Sequence, residues 1–546
     1  MKKKLVYLLA AAAVVFAGCQ GKSEVDLIVY NAKVYTVDET FSVQDAFAVK
    51  DGKFVKIGTT EDILAEYSAG ETHDLGGLPV YPGFYDAHSH FLGFARTLMQ
   101  ADLMGASSFE EIIERLKSFR NEFPEAQWLV GRGWDQNLWP VKTFPDRAWL
   151  DEVFPDLPVY IVRVDGHAAL ANTKALELAG ITRPARIEGG SIEFKNGRLT
   201  GILVDNAMDA VGRQIPQPTD SELVALLKKA EQLCAEVGLT TVNDAGLDRN
   251  RIDFLDNLYK AGELKIRNHA WINISDEDLD HYLAQGPYIT DKFTVATFKI
   301  LADGALGSRG ACLLSPYSDD ASQGFLLYSP ETIDNALARI IDSEFQVATH
   351  AIGDSTNRFM LDAYGRYLKG KNDRRWRIEH AQILAPGDID KFGEFSIIPS
   401  VQPTHATSDM FWAIDRIGAE RLKGAYAFKD LLDQVGVLPL GSDFPVEHIN
   451  PLFGFHAAVA RVDSRGLPEG GFQMENALTR EEALRGMTIW AAYSFFEEDS
   501  RGSIEAGKAA DFVVLESDIM TEDADKLRDV KTLRTVVSGE TLFVKP

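Results

Sequence analysis

Through the middle of the chain, short apolar runs ending in polar residues alternate with longer stretches whose apolar positions repeat at helical spacing. The runs are "LPVYIVRVDGH", "LTTVNDAG", "KIRNHAWINI", "FTVATFKILADG", "FQVATHAIGD", "RWRIEHAQIL", "SIIPSVQPTH" and "GVLPLGSDFPV". Segments such as "DSELVALLKKAEQLCAEVG" and "SPETIDNALARIIDSE" lie between several of them and read as amphipathic helices. Strand–helix alternation buries a parallel sheet under helices. The number of repeats predicts an α/β fold with a (β/α)8 TIM barrel over residues 81–502. Residues from about 106 to 219 break the rhythm. They are expected to form a large insertion after the first barrel strand, folded as a lobe over one face.

The two ends follow another pattern. "DLIVYNAKVYTVD", "AFAVKDGKFVKIG" and "THDLGGLPVYP" alternate with period two, and Asn31, Asp51-Gly52 and Gly76-Gly77 separate the runs as hairpin turns would. "GSIEAGKAADFVVLESD" and "VKTLRTVVSGETLFVKP" behave alike at the C-terminus. Neither end has enough strands to bury a face alone. Residues 25–80 and 503–546 are therefore expected to pair into one small composite β-sandwich, with the barrel inserted in it.

The first 18 residues, "MKKKLVYLLAAAAVVFAG", combine a basic start with an apolar stretch too short to span a bilayer comfortably. They read as a secretory signal, and residues 19–24 as a polar tether. "FAGC" resembles the lipobox of bacterial lipoproteins, with Phe16 where leucine is more usual. The resemblance implies lipidation of Cys19, and Gln20 implies retention at the outer membrane. The plainer alternative is a cleaved signal with a chance cysteine. Composition is that of a globular protein, 45% hydrophobic and 25% charged. The net charge of −25 argues against nucleic acid and against electrostatic docking on anionic lipid. Membrane contact is thus expected only through the anchor. Cys234 and Cys312 are too few for a disulfide framework and read as buried free thiols.

Candidate chemistry sits at the ends of the barrel runs. His88 and His90 in "PGFYDAHSHF" are two apart, so both face the barrel interior while Ser89 faces away. Lys299 interrupts an apolar run, His350 ends "FQVATH", His380 ends "WRIEH" and Asp443 ends "VLPLGSD". Barrel enzymes build their sites at these C-terminal strand ends. Several neutral imidazoles with a carboxylate suit a first-row metal, zinc by default. Singly, each has a plainer role, such as a core histidine, a helix-capping aspartate or a paired lysine. Lysine is the odd member, since an ammonium cannot ligate a cation; carbon dioxide would convert its neutral amine to an anionic carbamate.

The order HxH, Lys, His, His, Asp resembles the amidohydrolase superfamily. "FKILADGALGSRGA", "THAIGD", "RIEHAQ", "SVQPTH" and "GSDFPV" are similar to its branch containing N-substituted formamide deformylases, as are "GRGWDQNLW", "VDGHAALANTKAL" and "GGSIEFKNGRLTGIL" in the insertion. The likeness covers nearly everything after Val25. It implies that His88 and His90 hold a more buried metal and His350 and His380 a more exposed one, bridged by carbamylated Lys299. Asp443 would touch the buried metal and serve as general base and acid while a metal-activated hydroxide attacks a carbonyl. If Lys299 stays unmodified, a single-metal site is the fallback.

His167, Trp134, Asp135 and Arg309 are candidate substrate contacts, with a helix cap, core aromatics and a solvated arginine as their structural alternatives. His405 is expected to support a ligand rather than be one. His73, His269, His281, His448 and His456 are expected to be structural. The functional expectation is a metal-dependent hydrolase acting on a C–N, amide-type bond of a small molecule. An ester, lactone or phosphoester substrate, or a non-catalytic envelope binding protein, are the rivals. Substrate identity and any homo-oligomeric state are left open.

Overall fold

The computed structural model describes residues 22–546, so Cys19 and the signal lie outside them. Seven strands form one continuous parallel sheet, in the order Phe84–Tyr85, Leu239–Leu247, Arg267–Asn273, Phe293–Leu301, Gln346–Ala351, Arg377–His380 and Ile398–Ser400. Residues 439–441 lie between the two outer strands of that sheet. Val401 forms a parallel bridge to Leu440, and the Ala87 N–H donates to the Leu440 carbonyl at 3.1 Å. Pro439 has no N–H to donate to a ladder, and Gly441 runs so close to the neighbouring chain that a Cβ there would stand 2.5 Å from the His88 nitrogen.

Helices cover the outside of this sheet as the apolar spacing requires. Asp220–Glu236 starts with a capping box between Thr219 and Glu222 and buries Leu223, Leu227, Ala230 and Cys234. Pro330–Ile340 is capped by Ser329 and buries Ile333, Ala336, Leu337 and Ile340. Along Phe293–Leu301, Phe298 and Ile300 join this outer core. Thr297 and Lys299, on alternate positions, take the other face.

The insertion begins earlier than expected. Ala101–Asp102 is already the edge of its six-stranded sheet, which continues through Leu129–Trp134, Val159–Arg163, Ala168–Ala171, Arg198–Asp205 and Gly190–Lys195. The helix Phe109–Glu122 packs on one face through Ile112, Ile113 and Leu116, and Thr173–Leu178 packs on the other.

At the termini, a four-stranded sheet holds Lys53–Gly58, Ala46–Lys50, Ser23–Tyr30 and Tyr67–Asp74. A six-stranded sheet combines Glu540–Val544, Thr532–Val537 and Phe512–Leu515 with Pro79–Pro82, Lys33–Tyr35 and Val43–Gln44. One apolar cluster joins the two, with the Phe47 and Phe512 rings 5.0 Å apart. Two expectations change here. The tether ends before residue 24, because Ser23 and Glu24 pair with Tyr67 and Ser68. Neither Asn31 nor Gly76-Gly77 closes a hairpin: each sends the chain from one sheet into the other, Asn31 at φ 51°. The Asp51-Gly52 hairpin does form, with both residues at positive φ as a tight two-residue turn needs. Cys234 is buried, but Cys312 is only half-buried; both thiols are free.

Candidate metal centre

His88 and His90 follow the short strand Phe84–Tyr85, and Ser89 between them turns away to donate to the Asn243 carbonyl. His88 Nε2 and His90 Nε2 stand 3.5 and 3.2 Å from Asp443 Oδ1. One ligand atom from each of these three residues lies within 4.8 Å of the others. A second such group is His380, His405 and Asp443, so one carboxylate serves both. Asp443 reaches this position from a left-handed backbone (φ 62°), its N–H donating to the His88 carbonyl at 2.7 Å.

Lys299 Nζ lies 3.3 Å from His88 Nε2 and 5.4 Å above the Trp271 ring. His350 sits beside the second group, its ring 4.5 Å from that of His380 and its Nε2 3.6 Å from Asp303 Oδ1. His405 departs from expectation. It stands on the helix Pro403–Asp409 rather than at a strand end, and it faces Asp443 Oδ2 at 3.7 Å as a ligand would.

The surroundings favour cation-binding protonation states. Burial, reinforced by Lys299, lowers the His88 imidazolium pKa to about 4. Burial and the neighbouring imidazoles push His350 and His380 well below the usual range, so these rings are neutral. Burial alone would raise the Asp443 carboxyl. The contact with His90 Nε2 outweighs it and holds the group well below the usual carboxylate range. Burial brings the Lys299 ammonium down to about 8.

Outer partners fix the rings. Glu379 Oε2 accepts from His88 Nδ1 at 2.7 Å, and Gln402 Oε1 accepts from His380 Nδ1 at 2.6 Å. Asp303 accepts the N–H groups of Ile352, Gly353 and Cys312 beneath His350, and burial raises its carboxyl to about 6. Glu379, Gln402 and Asp303 were not picked out from the sequence. The one available signal was a charged residue inside an apolar run, which "RIEH" and "ILADG" both show.

The residues fit a divalent cation. His350 Nε2, His405 Nε2 and Asp443 Oδ1 are buried polar atoms with no hydrogen-bond partner among the described residues. Such orphans are costly unless something else satisfies them. Neutral imidazoles joined to a carboxylate are the donor set zinc favours.

Of the expected substrate contacts, His167 alone stands over this centre, its ring 5.2 Å from that of His350 and its Nδ1 2.6 Å from Asp205 Oδ1. Trp134 does not reach the mouth. It is fully buried in the lobe core and donates to the Ile161 carbonyl. Asp135 is committed to Arg163 at 2.5 Å and caps the turn at Asn137. Arg309 is not free for a ligand, because Asp319 receives two of its N–H groups.

The model of the amidohydrolase family matches residues 71–543. The protein LONG AFTER FAR-RED 3 of Arabidopsis thaliana is 32% identical over 537 residues, covering 95% of this chain and 91% of its own. The N-substituted formamide deformylase of Arthrobacter pascens is 28% identical over 538 residues, covering 94% and 97%. The crystal structure of an uncharacterized metal-dependent hydrolase from Pyrococcus horikoshii OT3 superposes with a TM-score of 0.74 at 29% identity, covering 91% of this chain and 99% of that one. With histidines and a shared aspartate gathered at the strand ends and a family match spanning most of its length, this chain belongs to the amidohydrolase family.

Proposed function

We propose that the protein is a metal-dependent amidohydrolase that cleaves a C–N, amide-type bond of a small molecule, such as an N-acyl or N-formyl compound. The observation that carries this is the pair of ligand groups sharing Asp443. His88, His90, His350, His380 and Asp443, with His405 beside them, would hold one or two zinc ions, and Lys299 would join them as a carbamate if two are bound. A divalent ion held by these residues would supply a lowered water pKa and Lewis-acid polarisation of a carbonyl.

The chain's own groups do the rest. Asp443, kept ionised by its contact with His90, takes a proton from the attacking water. The water oxygen bonds to the carbonyl carbon, the C–N bond breaks, and Asp443 returns that proton to the leaving nitrogen. Glu379 and Gln402 hold His88 and His380 in one tautomer each, so their Nε2 atoms stay on the site side. The same reading takes residues 439–441 as the eighth element closing a (β/α)8 barrel. It also places the protein in the cell envelope through lipidated Cys19, with no nucleic-acid partner.

The test is metal content per chain after supply of zinc and bicarbonate, beside Lys299→Ala, followed by matched amide and ester substrates. Two metals falling clearly in the variant, with amide cleavage, support the bridged hydrolase. One metal in both supports a mononuclear site using Asp443. Ester but not amide turnover replaces the bond assignment, and no metal in either refutes the catalytic reading.

A further inference from the structure

Arg132 lies in the middle of the lobe strand Leu129–Trp134, between two glycines that have no room for a side chain. A Cβ on Gly131 would come 2.8 Å from Leu103 Cδ1, and Gly133 takes φ 114° against Met104. The strand is thereby pinned on both sides of one long cation. Its guanidinium lies against Gly166, where a Cβ would be 3.1 Å from Nη2. The next residue, His167, stands over His350 of the metal centre.

The other arginines on this side of the lobe and the facing loops are paired. Arg163 is held between Asp135 and Asp165, and Arg309 and Arg416 share Asp319. Arg132 makes no ion pair among the described residues. Nη2 donates only to the Val164 carbonyl at 3.2 Å, and Nε is buried without a partner. Asp165, beside Gly166, is already engaged by Arg163. A guanidinium whose Nε is buried without a partner is costly unless something completes it, and its planar fork suits a carboxylate.

We propose that Arg132 is a specificity-determining residue that binds an anionic group of the substrate, a carboxylate by preference. The substrate class would then be N-acyl compounds bearing an acid, such as N-acyl amino acids, with the amide over the metals and the acid against the lobe. This rests on the amidohydrolase reading for the bond cleaved, but not for the anion bound.

The experiment uses the full chain loaded with zinc and bicarbonate, as parent, Arg132→Gln and Arg132→Lys. A panel of N-acetyl amino acids and their neutral amides is titrated by calorimetry and assayed for hydrolysis. The parent should bind at least one acid roughly 10- to 100-fold more tightly than its amide. That ratio should collapse toward one in Arg132→Gln and recover in part in Arg132→Lys, which also serves if the glutamine variant fails to fold. No acid preference in the parent overturns the proposal, as does a preference that survives in folded Arg132→Gln. Acid binding that depends on Arg132 without turnover upholds the anion site and refutes the hydrolase reading instead.

Discussion

His88 Nδ1 donates to Glu379 Oε2 at 2.7 Å, and both side chains are sealed from solvent. Burial would raise the Glu379 carboxyl, but His88 and Arg377 pull it down to about 2. The anion therefore persists in the buried interior and fixes which nitrogen of His88 faces the site. Arg377 depends on it too, donating to Glu379 Oε1 at 3.0 Å. Glu379→Gln is expected to weaken zinc binding by about 10- to 100-fold, read by competition against a chelator. It should also lower the melting temperature, because a buried arginine loses its counter-charge. Unchanged zinc affinity would mean that His88 is oriented by something else.

This pair explains what was legible in the sequence and what was not. The barrel rhythm, the terminal strands and the strand-end histidines follow from periodicity, which local sequence carries. Alternation puts adjacent strand residues on opposite faces, so with His380 assigned to the site its neighbour Glu379 drops from view. The backbone breaks the rule: His380 takes φ 70° and Asp443 φ 62°, so residues beside the ligands also reach inward. His405 was hidden for a similar reason, since the run "SIIPSVQPTH" looks continuous but the strand stops at Ser400 and a helix starts at Pro403. The unpaired state of Arg132 is a tertiary fact, because it depends on Asp165 having been taken by Arg163.

Asp443 belongs to both ligand groups and has a buried Oδ1 without a partner. Asp443→Asn keeps the shape but loses both the shared charge and the proton acceptor. At saturating zinc, kcat on any amide found to be a substrate should fall by about 10²- to 10⁴-fold, measured by product amine release. A loss recovered fully by extra zinc would leave Asp443 a ligand and remove it as the base.

Trp134 is fully buried between the Trp139 and Phe144 rings, 6.1 Å from each. Trp134→Ala should cost about 3–5 kcal/mol by cavity formation, read from denaturant unfolding, while zinc stoichiometry stays that of the parent. A normal unfolding midpoint with altered substrate KM would return Trp134 to the substrate-contact role.

Membrane attachment has a separable test, since no helix among the described residues is long and apolar enough to cross a bilayer. A net charge of −25 also disfavours electrostatic docking on anionic lipid. On the proposed reading, attachment depends on Cys19. Cys19→Ala expressed in a Gram-negative host should move from the membrane pellet to the soluble fraction, followed by immunoblot. A variant that stays in the pellet would rule out the lipid anchor.

Lys299 gives the pH dependence. Burial lowers its ammonium pKa from 10.5 to about 8, so between those values the unfolded chain holds a proton that the folded chain has released. Stability then rises with pH across that window, because the unfolded state binds more protons there. In metal-free protein the cost of burying this ammonium should be relieved as pH rises from about 8 to 10.5. The same neutral amine is the species that reacts with carbon dioxide: Nζ bonds to the carbon, one proton leaves, and an anion results. Zinc uptake in bicarbonate should therefore climb between about pH 7 and 9, with a carbamate carbon signal from labelled bicarbonate. Lys299→Ala should lack both the climb and the signal. A flat profile in the parent, or a climb that survives in the variant, would assign the pH dependence to other groups and leave the lysine unmodified.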